Sequence, residues 1–69
     1  MKEFGENTKA ARTAKGISRS ALSRSVGCSR QYMAQIERGA NPSLLFALAI
    51  AEALGKNIYD LAERKPPPN

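Results

Sequence analysis

This chain of 69 residues has no histidine, no tryptophan and one cysteine, Cys28. Each absence removes a class of chemistry. A single thiol cannot make a disulfide within the chain, and one Cys without any His argues against a structural zinc site. Enzymes would also be short of materials here: there is no imidazole for proton transfer and no motif for a nucleotide, metal or other cofactor. No apolar run approaches the ~20 residues of a membrane span; the longest, Leu44 to Ala51, suits a buried helix better. The lone cysteine and the lack of a signal peptide fit a reducing cytoplasm. A core this small leaves no pocket for a small-molecule effector, and it must be held by well-fitted helices or by a partner chain.

Basic residues outnumber acidic ones in one half only. Residues 1–40 hold eight Lys or Arg against three Glu, a net charge of +5, whereas residues 41–69 hold three basic and three acidic residues. A basic half beside a neutral half suggests a face for a polyanion. The plain alternative is a solvated basic surface.

What is present is helical punctuation. The stretch Arg19–Arg38, RSALSRSVGCSRQYMAQIER, reads as two short helices meeting at a tight turn. Leu22 and Val26 stand four apart and Met33 and Ile36 three apart, the spacings that put apolar side chains on one helix face. Gly27 falls where the first helix must stop, because glycine enters the left-handed region without strain. Ser18 and Ser29 each precede a helical run and can cap its free N–H groups. Ser23 is small where a second helix must cross closely. Small residue, corner glycine and flanking apolar positions together resemble the helix-turn-helix of DNA-binding proteins.

The remaining elements follow from the same signals. A first helix is expected over 4–15, with Phe4, Thr8, Ala11 and Ala14 on one face, and Gly16 ending it before Ile17 plugs the core. The central helices lie near 19–26 and 30–38. Gly39 closes the second, and Ala40-Asn41-Pro42 is a loop by composition. Ser43 caps a fourth helix, 44–54, whose expected core stripe is Leu44, Ala47, Leu48, Ala51 and Leu54. Asn57 caps a short fifth helix, 58–64, that returns Ile58 and Leu61 to the core. The expectation is therefore an all-α fold of five short helices over residues 1–65, with 66–69 a disordered proline-rich tail.

Residues 4–62 resemble the lambda-repressor-like, Cro/repressor or XRE-type, family of phage and bacterial regulators. The matching segments are Gly16-Ile17-Ser18, Val26-Gly27, Ile36-Glu37-Arg38-Gly39, Asn41-Pro42-Ser43 and Ala51-Glu52-Ala53-Leu54-Gly55. Three departures stand out: Thr8 and Ala11 are small or polar where larger aliphatics are usual, Leu45 and Phe46 are apolar where polar residues are usual, and Arg19 stands where Gln is usual. Leu45 and Phe46 either fill space left by Thr8 and Ala11 or form a patch for a second chain, and for Phe46 the first is preferred. The resemblance implies a third helix that enters the major groove of double-stranded DNA. The function it implies is a sequence-specific transcription regulator, most often a repressor, acting as a dimer on a palindromic operator. The alternative is a module that uses the same fold on a protein, such as an antitoxin.

In a helix-turn-helix, the start of the second helix meets base edges while the first crosses the backbone. The expected base-contacting residues are Ser29, Arg30, Gln31, Tyr32, Ala34 and Gln35. Arg30 can offer a bidentate fork to guanine, Gln31 or Gln35 can pair with adenine, and Tyr32 and Ala34 can touch a thymine methyl. Phosphate contacts are expected from Lys9, Ser18, Arg19, Arg38, Gly39 and Asn41. None of the first turns of the second, third and fourth helices holds an acid, and two hold an arginine, which the helix dipole disfavours by a few tenths to about 1 kcal/mol. Such starts are useful where a helix end must accept phosphate. Glu37 is expected to pair with Arg12, an ion pair that the resemblance implies, with a solvated Glu37 the alternative. Cys28, at the turn, is expected to act as a small buried hydrophobe. With no second domain to pair two copies, the homodimer contact is expected at the corner of Lys56, Asn57, Ile58 and Tyr59.

Overall fold

The computed structural model describes residues 2–62. Among these the chain forms five α-helices and no strand: α1 (Lys2–Ala14), α2 (Arg19–Val26), α3 (Arg30–Glu37), α4 (Leu44–Ala53) and α5 (Ile58–Ala62). The bounds of α2 are those expected. The first helix begins earlier, at Lys2, and so gains Glu3 in its first turn. Arg38 and Leu54 close α3 and α4 as caps rather than as their last turns. The expected end of the fifth helix at 64 and the proline tail lie outside the described residues.

Short polar side chains set the helix starts. Ser18, Ser29 and Ser43 each have extended backbone, and their hydroxyl oxygens accept from the N–H groups of Ala21, Tyr32 and Phe46 respectively. At α5 the cap is reciprocal: Asp60 N–H donates to Asn57 Oδ1 at 2.9 Å, and Asn57 N–H donates to Asp60 Oδ2 at 3.3 Å. Each arrangement satisfies donors that a helix start otherwise leaves without partners.

The core is a single cluster to which every helix contributes, built on Phe4, Leu22, Met33, Ile36, Ile50 and Leu61, with Ala47, Ala51 and Leu54. Helix α1 packs on α3 and α5, and α2 packs on α3 and α4. The α1–α3 crossing is close because of Gly5, which is buried: a Cβ there would overlap the carbonyl oxygen of Ile36 and lie 3.0 Å from that of Glu37. The buried face of α1 is thus Phe4, Gly5 and Thr8, with Ala11 half-buried, while Ala14 is exposed rather than inward. Ile17 is half-buried and packs against the core.

One stripe differs from expectation. In α4 the inward residues are Ala47, Ile50 and Ala51, followed by Leu54, whereas Leu44 is 69% exposed and Leu48 44% exposed. The segment LLFALAIAEAL is apolar almost throughout, so periodicity alone does not choose its inner face. Packing against α2 and α5 chooses it.

Candidate nucleic-acid interface

Helices α2 and α3 are joined by three residues, Gly27, Cys28 and Ser29. Gly27 has φ 87° and ψ 31°, the left-handed conformation that ends α2 and turns the chain. The N–H groups of Gly27 and Cys28 both donate to Ser23 C=O, at 2.8 and 3.0 Å, closing the C-terminal turn. Ser23 is buried at the crossing, with its hydroxyl donating to Arg19 C=O at 2.7 Å. Cys28 is half-buried against the core, and burial raises its thiol above the ordinary range. That favours the neutral thiol and keeps it a poor nucleophile.

Met33 and Ile36 are fully buried, and they fix which face of α3 turns outward. Ser29, Arg30, Gln31 and Gln35 are exposed on that outer face. Lys9, Ser18, Arg38 and Asn41 are also exposed, and Gly39 is half-buried. Two of the residues expected to meet bases are placed differently. Tyr32 is half-buried, its ring 5.3 Å from that of Phe46, and its hydroxyl oxygen accepts from Ser43 N–H at 3.4 Å. Its ring therefore ties α3 to the start of α4 instead of standing free in solvent. Ala34 is half-buried as well. Phe46, also half-buried, packs on Tyr32, and Leu45 beside it is 80% exposed.

Glu37 sits at the base of α3 with its side chain 2% exposed. Arg12 Nε donates to Glu37 Oε2 at 2.9 Å and Arg12 Nη2 to Oε1 at 3.4 Å, while Arg12 Nη1 donates to Ile17 C=O at 3.0 Å. A second arginine joins it. Arg19 Nε and Nη2 both donate to Glu37 Oε1, at 3.2 and 3.1 Å. Arg19, expected to hold a backbone phosphate, is bound to this buried carboxylate, with 37% of its side chain still exposed. The sequence holds the signal for this: Glu37 is the lone acid between Arg19 and Arg38, so either arginine or Arg12 could serve it. Choosing among them needs the distances.

The first turns of α2, α3 and α4 contain no acidic residue. Their positive ends thus have no acid of their own first turn to compensate them, an arrangement suited to anions.

Comparison with known proteins agrees with this geometry. A helix-turn-helix family model matches residues 9–61. The fold is similar to the restriction-modification controller protein C.AhdI from Aeromonas hydrophila, with a TM-score of 0.82 and 38% identity over 87% of this chain and 92% of that one. It is also similar to SinR, a master regulator of biofilm formation, in a structure with DNA: TM-score 0.81 and 31% identity, covering 87% of this chain and 98% of that one. The N-terminal DNA-binding domain of SinR from Bacillus subtilis gives a TM-score of 0.75 and 32% identity, over 88% of this chain and 91% of that one. No curated protein matches the sequence. The chain belongs to the XRE-type helix-turn-helix family of DNA-binding transcription regulators.

Proposed function

We propose that the protein is a repressor that reads the major groove of double-stranded DNA with α3 and acts as a homodimer on a palindromic operator. The observation that carries this reading is the outer face of α3. Arg30, Gln31 and Gln35 are exposed there on a helix whose other face is locked into the core by Met33 and Ile36. Ser29 and these three residues are the base-contacting set, and Arg30 is the one able to make a two-point contact with guanine. Phosphates are held by Lys9, Ser18, Arg19, Arg38, Gly39 and Asn41, which position the domain without reading sequence. The DNA-bound structure of SinR supports the class of ligand.

Arg30→Ala tests the reading on sites selected from a random DNA pool. Loss of a bidentate contact costs about 1–3 kcal/mol and relaxes preference at one base pair. An equal loss on mixed-sequence DNA would make Arg30 a phosphate contact only.

A second reading, an antitoxin-type module that masks a protein, is favoured by the exposed leucines of α4, Leu44, Leu45 and Leu48. Salt separates the two. Affinity for DNA that falls steeply with salt supports the repressor, and flat, weak binding supports the protein partner.

A further inference from the structure

Glu37 makes more contacts than its structural task requires. Arg12 alone neutralises it, through two hydrogen bonds, and is itself tied to Ile17 C=O. Arg12 is 12% exposed, so its guanidinium is spent inside the fold. The second arginine adds a charge that the carboxylate does not need, leaving the group of three at a net +1. Arg19 uses only Nε and one N–H of Nη2 on Glu37 Oε1, one edge of its fork. The far edge, Nη1 and the second N–H of Nη2, remains for a ligand on a side chain that is 37% exposed. Arg19 is also the first residue of α2, the helix that crosses the DNA backbone in this motif.

We propose that Glu37 is a positioning residue for DNA binding: it holds the Arg19 guanidinium in one pose, with its free edge ready for a backbone phosphate. The inference rests on the DNA-binding reading above. An unheld arginine must give up rotamer freedom when it meets phosphate, whereas a clamped one has already done so. The buried acid at the base of α3 thus serves the fold through Arg12 and the interface through Arg19.

This role has a sign opposite to that of simple electrostatics. Removing an acid from a protein that binds a polyanion should tighten binding through the added net positive charge. The clamp predicts that Glu37→Gln weakens it, by about two- to tenfold, the entropy of one long side chain. The assay measures the affinity of the full chain for a mixed-sequence 20-base-pair duplex across a salt series, at a temperature where circular dichroism shows every variant folded. Such a duplex suffices, because phosphate contacts do not depend on sequence. Arg19→Ala should weaken binding and lower the salt slope by about 0.9, the value of one phosphate. Glu37→Gln should weaken binding with no fall in slope, since the charge of Arg19 remains. In an Arg19→Ala background it should weaken nothing further. Arg12→Gln breaks the same buried pair from the other side yet leaves Arg19 on Glu37, so its affinity should stay within about twofold of the parent. Tighter or unchanged binding by Glu37→Gln overturns the inference while leaving the DNA reading intact. Equal losses from Glu37→Gln and Arg12→Gln overturn it too, by making the effect one of folding. If the parent chain itself shows no salt-dependent binding, the DNA reading fails and the clamp falls with it.

Discussion

Glycine at two positions shows how differently one residue type is used in this chain. Gly27 stands in open space and is required by its backbone, with φ 87°. Gly5 lies inside a helix, where glycine ordinarily costs about 0.5–1 kcal/mol relative to alanine. Its value comes from contact: α3 ends directly against it, and the atoms a methyl group would strike are the backbone carbonyls of Ile36 and Glu37. Backbone cannot step aside as a flexible side chain can. Gly5→Ala should therefore destabilise the fold by about 1–3 kcal/mol, the ordinary cost of overpacking, despite the better helix propensity of alanine. Thermal denaturation decides this, and a rise in melting temperature would show that α1 and α3 do not cross as closely as described. Because Glu37 is at this crossing, the same change should also loosen the Arg12 contact.

At the scale of elements, the starts of α2, α3 and α4 forgo an acidic residue that their dipoles favour. The cap of α3 is in place, with Ser29 Oγ accepting from Tyr32 N–H at 3.0 Å, yet the first turn carries Arg30 and no acid. Aspartate caps as well as serine does and adds a charge that the dipole favours. Ser29→Asp should leave stability unchanged or raise it by up to about 1 kcal/mol, while weakening DNA binding through repulsion of phosphate. Parallel melting and gel-shift measurements test both halves. A variant that binds DNA as tightly as the parent would remove the helix start from the interface. Helix α4 shows a different compromise: it is apolar almost throughout but buries one face only, leaving Leu44 and Leu48 outward.

For the whole molecule, the uneven charge matters most. The excess of +5 lies within residues 1–40, and residues 41–69 are neutral. The corner proposed for the homodimer belongs to the neutral half: Lys56, Asn57 and Tyr59 are exposed, and Ile58 is half-buried against the core. In the proposed complex one α3 would meet only a few base pairs, each contributing about 1–3 kcal/mol of discrimination, too little for a selective repressor. Two copies on one face of DNA should place their α3 helices ~34 Å apart, with half-sites ~10 base pairs apart. Gel-shift stoichiometry and sedimentation on selected sites measure this. One chain per operator, with full affinity kept on an isolated half-site, would sink the dimer.

The sequence by itself determined the fold class, the number and order of the helices and the turn at Gly27, because these rest on local physics. A serine before a helical run caps it whatever lies beyond, and a glycine at positive φ ends a helix wherever the helix is placed. It also determined that Met33 and Ile36 face inward, since they stand three apart on one stripe while Arg30, Gln31 and Gln35 mark the opposite face. Only the tertiary structure decided which face of α4 is buried, since a segment apolar all round carries no periodic signal and its neighbours α2 and α5 make the choice. Only it decided that Tyr32 leans on Phe46 and that Gly5 is a crossing point, for each depends on a residue distant in the chain. The group around Glu37 divides between the two. A lone acid among arginines is legible as a pair, but that Arg12 and Arg19 share it, one sunk in the fold and one left at the surface, follows from how three helices meet.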